Sequence, residues 1–184
     1  MSKIKWTIDP SHSQVQFKVK HLMITSVTGH FNEFESSVIT DGDDFNSAKI
    51  NFTAKTASAT TGNEQRDGHL QNDDFFNAEK FPELKFVGSK FTKKDEENWE
   101  LEGDLTIRDI TQPVKLQVEV GGIATDPWGN IRAGFIVSGK ISRKNFGLLW
   151  NAVTEAGGVM VSDDVKIHAE VQYIKAVVEE VVAA

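Results

Sequence analysis

The chain has 184 residues with 20 Lys or Arg and 27 Asp or Glu, which gives a formal net charge of −7 at pH 7. This acidic balance argues against nucleic acid as a partner, because contact with phosphates needs a basic surface. The chain has no cysteine, which excludes disulfides and thiolate metal sites. Twelve Phe against one Tyr indicate an apolar interior with little need for hydrogen bonds.

Alternation of apolar and polar residues with a period of two runs along most of the chain and predicts eight half-buried strands. Six of the predicted strands are regular, and their apolar rows begin at Val15, Ile50, Trp99, Val114, Ile131 and Val165. Two are irregular. The strand over 26–39 changes phase between Phe31 and Phe34, which predicts a bulge. The strand over 84–91 contains Gly88, which predicts a bend.

Residues 56–83 break this alternation, and they are too many for a hairpin loop. Apolar residues in the segment lie at mixed helical spacing, so we expect short helical turns packed on the strands. A long ordered excursion from a compact domain is often functional. We place one domain over residues 1–175 and a C-terminal tail, either a frayed end or a short helix, over 176–184.

Short polar turns connect many of the strands, which is typical of an antiparallel meander. Eight strands with one apolar face can close into a barrel or pack as a two-sheet sandwich, and the periodicity fits both. A closed eight-stranded barrel is either filled by side chains or holds one small ligand.

In an up-and-down meander the odd-numbered strands all end at the same rim. The rim so predicted gathers His21, Arg66, Asp67, His69, Arg143 and Asn145. The opposite rim receives the acidic turns at 41–44, 93–98 and 126–130. Because His21 and Arg143 continue inward rows, we expect both to point toward the barrel mouth, where an Arg can hold a phosphate, carboxylate or carbonyl head group. The alternative is that each residue bonds loop carbonyls at the edge of the core.

The sequence contains no strong catalytic or metal-binding motif. A Gly-x-Ser-x-Gly elbow and a Gly-rich phosphate loop are both absent. Arg66 and Asp67 are expected to form an ion pair that orders a loop. His21 and His69 share the predicted rim but lack metal-ligand spacing. We therefore predict no catalytic residue, no metal and no cofactor, and keep as an alternative a hydrolase or isomerase that uses His21 and Asp67.

Several short motifs occur together in an order that resembles the YceI-like family, and the resemblance covers nearly the whole chain. They are Ile8-Asp9 with His12-Ser13, the row Val15, Phe17, Val19 and His21, Arg66-Asp67 with Leu70, Asp74-Phe75-Phe76, Phe81-Pro82, the run 103–108, Thr111 with Pro113-Val114, and Arg143 with Phe146-Gly147. The sequence departs from the family at Asp109, where Gly is frequent, and at Asn145, where Asp is frequent.

The resemblance implies an all-β, lipocalin-like, eight-stranded antiparallel barrel that is often a homodimer. It also implies an apolar tunnel for isoprenoid quinones, polyprenyl phosphates or fatty-acyl amides, no established enzymatic activity, and for some members a link to stress responses. Many members are periplasmic. Because no apolar leader precedes the first strand, we expect a cytoplasmic protein, or a periplasmic one if a leader was removed.

From the inward rows and this resemblance we predict a carrier or sequestering protein for a long-chain amphiphile, with transient membrane contact. The predicted apolar lining is Phe17, Val19, Phe31, Phe52, Leu70, Phe75, Phe76, Phe86, Leu105, Ile107, Phe135, Phe146 and Trp150. The predicted head-group residues are His21, Arg66, His69, Arg143 and Asn145.

Overall fold

The computed structural model describes residues 2–177, which form eleven strands and one α-helix. The helix is α1 (Glu64–Gln71), and short 3-10 helices cover Pro10–His12, Thr56–Ser58 and Arg143–Phe146. The strands are β1 (Lys3–Ile8), β2 (Gln14–His21), β3 (Thr25–Phe31), β4 (Phe34–Asp41), β5 (Asp44–Lys55), β6 (Ala59–Thr60), β7 (Glu83–Lys93), β8 (Asn98–Ile107), β9 (Ile110–Thr125), β10 (Ile131–Ser142) and β11 (Asp164–Val177).

Eight of these strands close into an antiparallel barrel, in the order β1-β4-β5-β7-β8-β9-β10-β11, with β11 pairing back to β1. Closure removes the exposed sheet edges of an open sandwich, so the barrel alternative is confirmed and the sandwich is wrong. The strands β2, β3 and β6 extend the wall beyond β1 and β4, because β2 pairs with the first half of β11.

Nine of the eleven strands correspond to the eight predicted ones, whereas β1 and the two-residue β6 were not predicted. The predicted strand over 26–39 is β3 and β4, and it breaks at residues 32–33 rather than forming a bulge. The bend predicted at Gly88 is confirmed as a register shift between Gly88 and Lys90. No strand was predicted at the position of β1, although Ile4, Trp6 and Ile8 are buried and alternate with exposed residues.

The predicted helical turns of the 56–83 excursion are confirmed as the 3-10 turn at Thr56–Ser58 and the two-turn helix α1. The side chain of Asn63 caps α1 by accepting a hydrogen bond from the Arg66 amide at 2.9 Å. Within residues 2–177 no helix has the length and apolarity needed to cross a membrane. Strand β11 continues to Val177, so residues 176 and 177 belong to the barrel rather than to the tail; residues 178–184 lie outside the described part of the chain.

Aromatic side chains close the end of the barrel that carries the acidic turns. The Phe45 ring lies 5.4 Å from the Trp6 ring and 5.7 Å from the Phe135 ring, and Phe135 meets Tyr173 at 6.0 Å. Tilted and edge-on contacts of this kind stabilise a packed interior. This end of the barrel is therefore largely filled, and the larger interior space lies toward the opposite rim.

An arginine on the outer wall joins two acidic residues that are distant in sequence. Arg132 donates to Asp9 and to Asp126, each at 2.8 Å, and to the Gln172 side chain at 2.8 Å. Hydrogen bonds from Arg132 and the neighbouring turn hold the pKa of Asp126 at about 2. Hydrogen bonds from Ser11, Arg132 and His12 place the pKa of Asp9 well below its usual range.

Acid is expected to destabilise the barrel through these two carboxylates. Their pKa values are lowered in the folded state, so their contribution is present above pH 4 and is lost as the pH falls toward 2. Arg132→Gln should flatten the dependence of the free energy of unfolding on pH between 4 and 2, measured by urea unfolding at each pH. Lys115→Gln, which changes charge elsewhere on the wall, is the control. If the free energy of unfolding of Arg132→Gln depends on pH between 4 and 2 as steeply as that of the parent, Asp9 and Asp126 do not carry the acid sensitivity.

Candidate ligand-binding cavity

A cavity of about 420 Å³ occupies the barrel interior and reaches the rim at which β2, β5, β8 and β10 end. This volume lies in the range of about 300–1,000 Å³ that is typical of small-molecule sites. Strand β11 shows its depth, because every second residue from Val165 to Tyr173 lines the cavity. The eight residue-to-residue steps from Val165 to Tyr173 correspond to about 26 Å at 3.3 Å per step. The barrel is thus hollow rather than filled.

Glycines in the wall keep this space open by letting large side chains lie flat against the neighbouring strand. A Cβ atom at Gly29 would come within 2.2 Å of the Phe17 ring, and one at Gly103 within 2.5 Å of the Phe86 ring. Phe17 and Phe86 both line the cavity. A side chain at either glycine would push the facing ring into the lumen, so these glycines set its width.

Eleven of the thirteen predicted apolar residues line the cavity: Phe17, Val19, Phe31, Phe52, Leu70, Phe75, Phe76, Phe86, Leu105, Ile107 and Trp150. Phe135 does not, because it faces inward at the filled end of the barrel, where its ring packs against Phe45 and Tyr173 beside a second cavity of about 50 Å³. Phe146 does not either, because the 3-10 turn after β10 buries it in the core.

Many smaller lining residues were not predicted, although they alternate along the same inward rows. They include Val15, Ile50, Leu101, Leu116, Val137, Ile167, Ala169 and Val171. The alternation of the strands already places these side chains on the inward face. The predicted lining favoured Phe and omitted most of the branched aliphatic residues that supply much of the wall.

Four of the five predicted head-group residues meet at the open rim, where His21, Arg66, His69 and Arg143 line the cavity. Asn145 does not line it. The 3-10 turn exposes its side chain, and its backbone carbonyl accepts a hydrogen bond from Gln112 at 3.3 Å. Asn145 therefore lies outside the cavity lining, because the strand ends before this residue and its parity no longer applies.

Arg143 is 2 % exposed, and its guanidinium organises the 148–162 loop. It donates to the carbonyls of Leu148, Trp150, Ser162 and Val161 at 2.6, 2.8, 2.8 and 3.2 Å. Burial lowers the pKa of Arg143, and nearby Asp163 opposes this effect. Four of its five N–H groups are occupied. Arg143 therefore binds loop carbonyls, as the alternative prediction had it. One N–H group remains for a ligand.

Arg66 and Asp67 act on a common partner instead of pairing directly. Thr61 Oγ1 donates to Asp67 Oδ1 at 2.6 Å and accepts from Arg66 Nε at 2.6 Å. Asp67 also accepts from the Thr60 hydroxyl and the Thr61 amide, each at 2.7 Å, and these bonds lower its pKa against the opposing effect of burial. The predicted ion pair is therefore a network through Thr61 that fixes α1 at the mouth.

An aromatic cluster of His69, Phe75 and Trp150 covers part of the mouth. The His69 ring meets the Phe75 and Trp150 rings edge-on, at 5.0 and 4.8 Å between centroids. Its Nε2 atom contacts Asp74 Oδ2 at 2.9 Å. Arg108 anchors this segment from the β8–β9 turn by donating to Asp73 Oδ1 at 3.0 Å. Arg108 was not predicted, since its left-handed φ of 57° is invisible in the sequence pattern.

A polar pair lies deep in the apolar cavity, where Tyr173 and Ser36 are both part of the lining. Ser36 Oγ donates to the Asn51 carbonyl at 2.8 Å and lies 2.8 Å from the Tyr173 hydroxyl. Because the single Ser36 proton goes to Asn51, Tyr173 must donate to Ser36. Burial raises the pKa of Tyr173, so the hydroxyl stays neutral and satisfied at the end of the lumen.

Tyr173→Phe is expected to destabilise the fold by about 1 kcal/mol, the net value of one internal hydrogen bond. Ser36→Ala should cost more, about 1–3 kcal/mol, because it leaves a buried hydroxyl without a partner. Urea unfolding of the two variants measures this order. Equal stability of both variants and the parent would show that the pair contributes nothing.

Within residues 2–177 no three His, Asp or Glu side chains gather in a way that suits a metal ion. The catalytic alternative needed His21 and Asp67 side by side, but the hydrogen bonds of Asp67 go to Thr60 and Thr61. Among the described residues no hydrogen bond links Asp67 to His21. The geometry at the rim therefore offers polar contacts to a ligand without an assembled base and nucleophile.

Comparison with known proteins agrees with this geometry. The sequence model of the YceI-like domain matches residues 6–173. UPF0312 protein SAS2572 of Staphylococcus aureus is 39% identical over 169 residues, which cover 91% of this chain and 96% of that protein. The crystal structure of Campylobacter jejuni YCEI protein is 34% identical and superposes with a TM-score of 0.71 over 88% of this chain and 90% of that one.

Two structures with lower sequence identity share the fold. Burkholderia cenocepacia BcnA superposes with a TM-score of 0.76 at 22% identity, over 90% of this chain and 98% of that one. A polyisoprenoid binding domain from Saccharophagus degradans gives 0.70 at 14% identity, over 93% and 98%. The family match spans the barrel from β1 to β11, and the chain belongs to the YceI-like family.

Proposed function

We propose that this protein binds one long-chain amphiphile, with the tail along the barrel axis and the head group at the open rim. The observation that carries the proposal is the distribution of polarity in the cavity. Its wall is apolar from the mouth to the Tyr173–Ser36 pair, whereas the charged lining residues gather at the mouth. A relative whose structure is described as a polyisoprenoid binding domain shares this fold.

The tail supplies most of the binding free energy in this proposal. Burial of a methylene group releases about 0.8 kcal/mol, which corresponds to at most a fourfold gain in affinity per carbon before ordering costs are subtracted. An isoprenoid quinone, a polyprenyl phosphate or a fatty-acyl amide each has a tail suited to a lumen about 26 Å deep along the strand. A compact ligand would leave much of the wall uncovered.

Free hydrogen-bond donors at the rim favour a head group that accepts hydrogen bonds. The bonds of Arg66 to Thr61 use Nε and Nη2, so within the described residues Nη1 remains available. Arg143 retains one N–H, and the ring of His21, which lines the cavity, makes no side-chain hydrogen bond in residues 2–177. A carbonyl or phosphate oxygen is the natural partner of such donors.

Titration with fatty-acyl amides of increasing chain length tests the proposal. The readout is the change in tryptophan fluorescence, because Trp150 lines the cavity. Affinity should rise with each added carbon and then level off once the tail fills the lumen. Arg66→Gln should weaken an amphiphile but leave the matching alkane unchanged. Affinity that is independent of chain length would overturn the proposal. The homodimer, the stress response and the cytoplasmic location stay predictions.

A further inference from the structure

The turn between β2 and β3 holds large apolar residues in a strained conformation beside the mouth. Leu22 and Met23 have φ values of 53° and 59°, and the Ile24 amide donates to the His21 carbonyl at 3.1 Å. Two-residue turns of this shape favour Asn-Gly, because left-handed backbone is costly for bulky residues. Leu22, Met23 and Ile24 are nevertheless 38, 52 and 78 % exposed, so strain and exposure coincide here.

A second apolar loop lies against this turn. The Leu22 amide donates to the Met160 carbonyl at 2.8 Å, and Val153 bridges Val159 within the 148–162 loop. The side chains of Leu149 and Val153 are 65 and 80 % exposed. We call the turn at 22–24 together with Leu149, Val153 and Val159 the apolar tip. Several exposed apolar side chains on two adjoining loops at a rim indicate an interaction site.

Lysines line the outer wall directly below the apolar tip. Lys166 of β11 stands opposite Lys18 of β2 on one side and Lys140 of β10 on the other. Like charges directly opposite each other in a sheet are destabilising, and of the three only Lys140 has an acidic partner within the described residues, Asp164 at 3.6 Å. This lysine row is a local basic field on a chain whose net charge is −7.

We propose that the apolar tip enters the interface of an anionic lipid bilayer while the lysine row contacts the lipid phosphates. Apolar side chains backed by Lys are the combination that holds proteins at anionic membrane surfaces. This inference rests on the proposed function, because docking would place the cavity mouth where a long-chain ligand leaves the bilayer.

The two sides of the mouth differ in charge, so docking is one-sided. The α1 side carries Asp73 and Asp74, which pair with Arg108 and His69, and exposed Glu64. On the apolar tip itself the acidic residue is Glu155, in the turn between Val153 and Val159. Repulsion from the bilayer keeps the α1 side away, and the barrel tilts with β2 and β3 toward the lipid.

Flotation with vesicles tests docking without any ligand. Vesicles of phosphatidylcholine with about a third phosphatidylglycerol should bind the full chain at least tenfold more tightly than pure phosphatidylcholine vesicles, and salt should weaken the difference. The double variant Leu22→Asn, Met23→Gly suits the turn better, so we expect it to melt at a higher temperature yet to lose at least tenfold in vesicle binding. Trp128→Ser, at the opposite rim, is the control and should bind normally.

Charge variants separate the lysine row from general basicity. Replacing Lys18, Lys140 and Lys166 by Gln should abolish the preference for anionic vesicles, whereas Gln at Lys5, Lys49 and Lys90 changes net charge equally and should preserve it. Undiminished vesicle binding by the turn variant would overturn the proposal. So would a turn variant that instead loses a homodimer in sedimentation, because the tip would then contact a second copy. Amphiphile binding in solution, measured alongside, reports on the proposed function independently.

Discussion

Replacing Ala169 with phenylalanine is expected to lower the affinity for a long-chain amphiphile by about 100-fold while the protein keeps its fold. Ala169 lines the middle of the cavity and pairs with Val15 and Val137, which also line it. A phenyl ring there blocks the path to the deep half of the lumen. Loss of four or five buried methylenes at about 0.8 kcal/mol each removes 3–4 kcal/mol, of which part returns as relieved ordering cost.

The same substitution at Ala133 is the matched control. Ala133 pairs with Tyr173 in the filled end and is fully buried, and it does not line the cavity. Overpacking there should destabilise the protein by about 1–3 kcal/mol in urea unfolding. Ala169→Phe should cost clearly less because the cavity accepts the ring. Equal destabilisation by both variants, or normal binding of a long tail by Ala169→Phe, would contradict an open lumen.

Arg143→Ala is expected to give the largest loss of stability, about 3–5 kcal/mol. The guanidinium donates four hydrogen bonds to loop carbonyls, and bonds to a charged donor contribute about 1.5–3 kcal/mol each. Water reaches some of these carbonyls once the loop opens, so the sum is not additive. Loss of the loop also exposes the mouth, since Trp150 and Val161 line the cavity.

Urea unfolding and limited proteolysis measure this effect, with cleavage expected within residues 149–160. Arg143→Lys should recover only part of the stability. It keeps the positive charge, but one ammonium group cannot reach all four carbonyls. Arg108→Ala, which removes partly exposed contacts to Asp73 and Phe75, should cost less. An Arg143→Ala protein with normal stability and an intact loop would show that the four hydrogen bonds from Arg143 to loop carbonyls do not stabilise the rim.

The barrel and its mouth follow from sequence because strand parity is local. Alternation along Val165 to Tyr173 places each of these side chains inward, and antiparallel connectivity brings the ends of β2 and β10 to one rim. Prediction fails where the backbone leaves that regularity. The 3-10 turn that holds Asn145 moves this side chain away from its expected face, whereas Phe135 keeps its inward face and lies at the filled end, outside the cavity.

Features set by long-range contacts are likewise out of reach of pattern analysis. The Tyr173–Ser36 pair joins residues 137 positions apart, and the lysine row depends on the register of three strands. Arg143 shows a further limit, because inward parity is correct yet does not distinguish a guanidinium facing a ligand from one that binds its own loop. The position of a charged residue was predictable, whereas its partner required the fold.

The central claim, a hollow barrel that carries an amphiphile, is tested most directly by native mass spectrometry of protein purified without detergent from its own host, followed by lipid extraction. The account predicts a mass excess that matches a single amphiphile with a long apolar tail, released on unfolding. It also predicts that Ala169→Phe purifies without this excess, whereas Trp128→Ser retains it. A ligand-free spectrum, together with no uptake of added quinone or polyprenyl phosphate, would contradict the account.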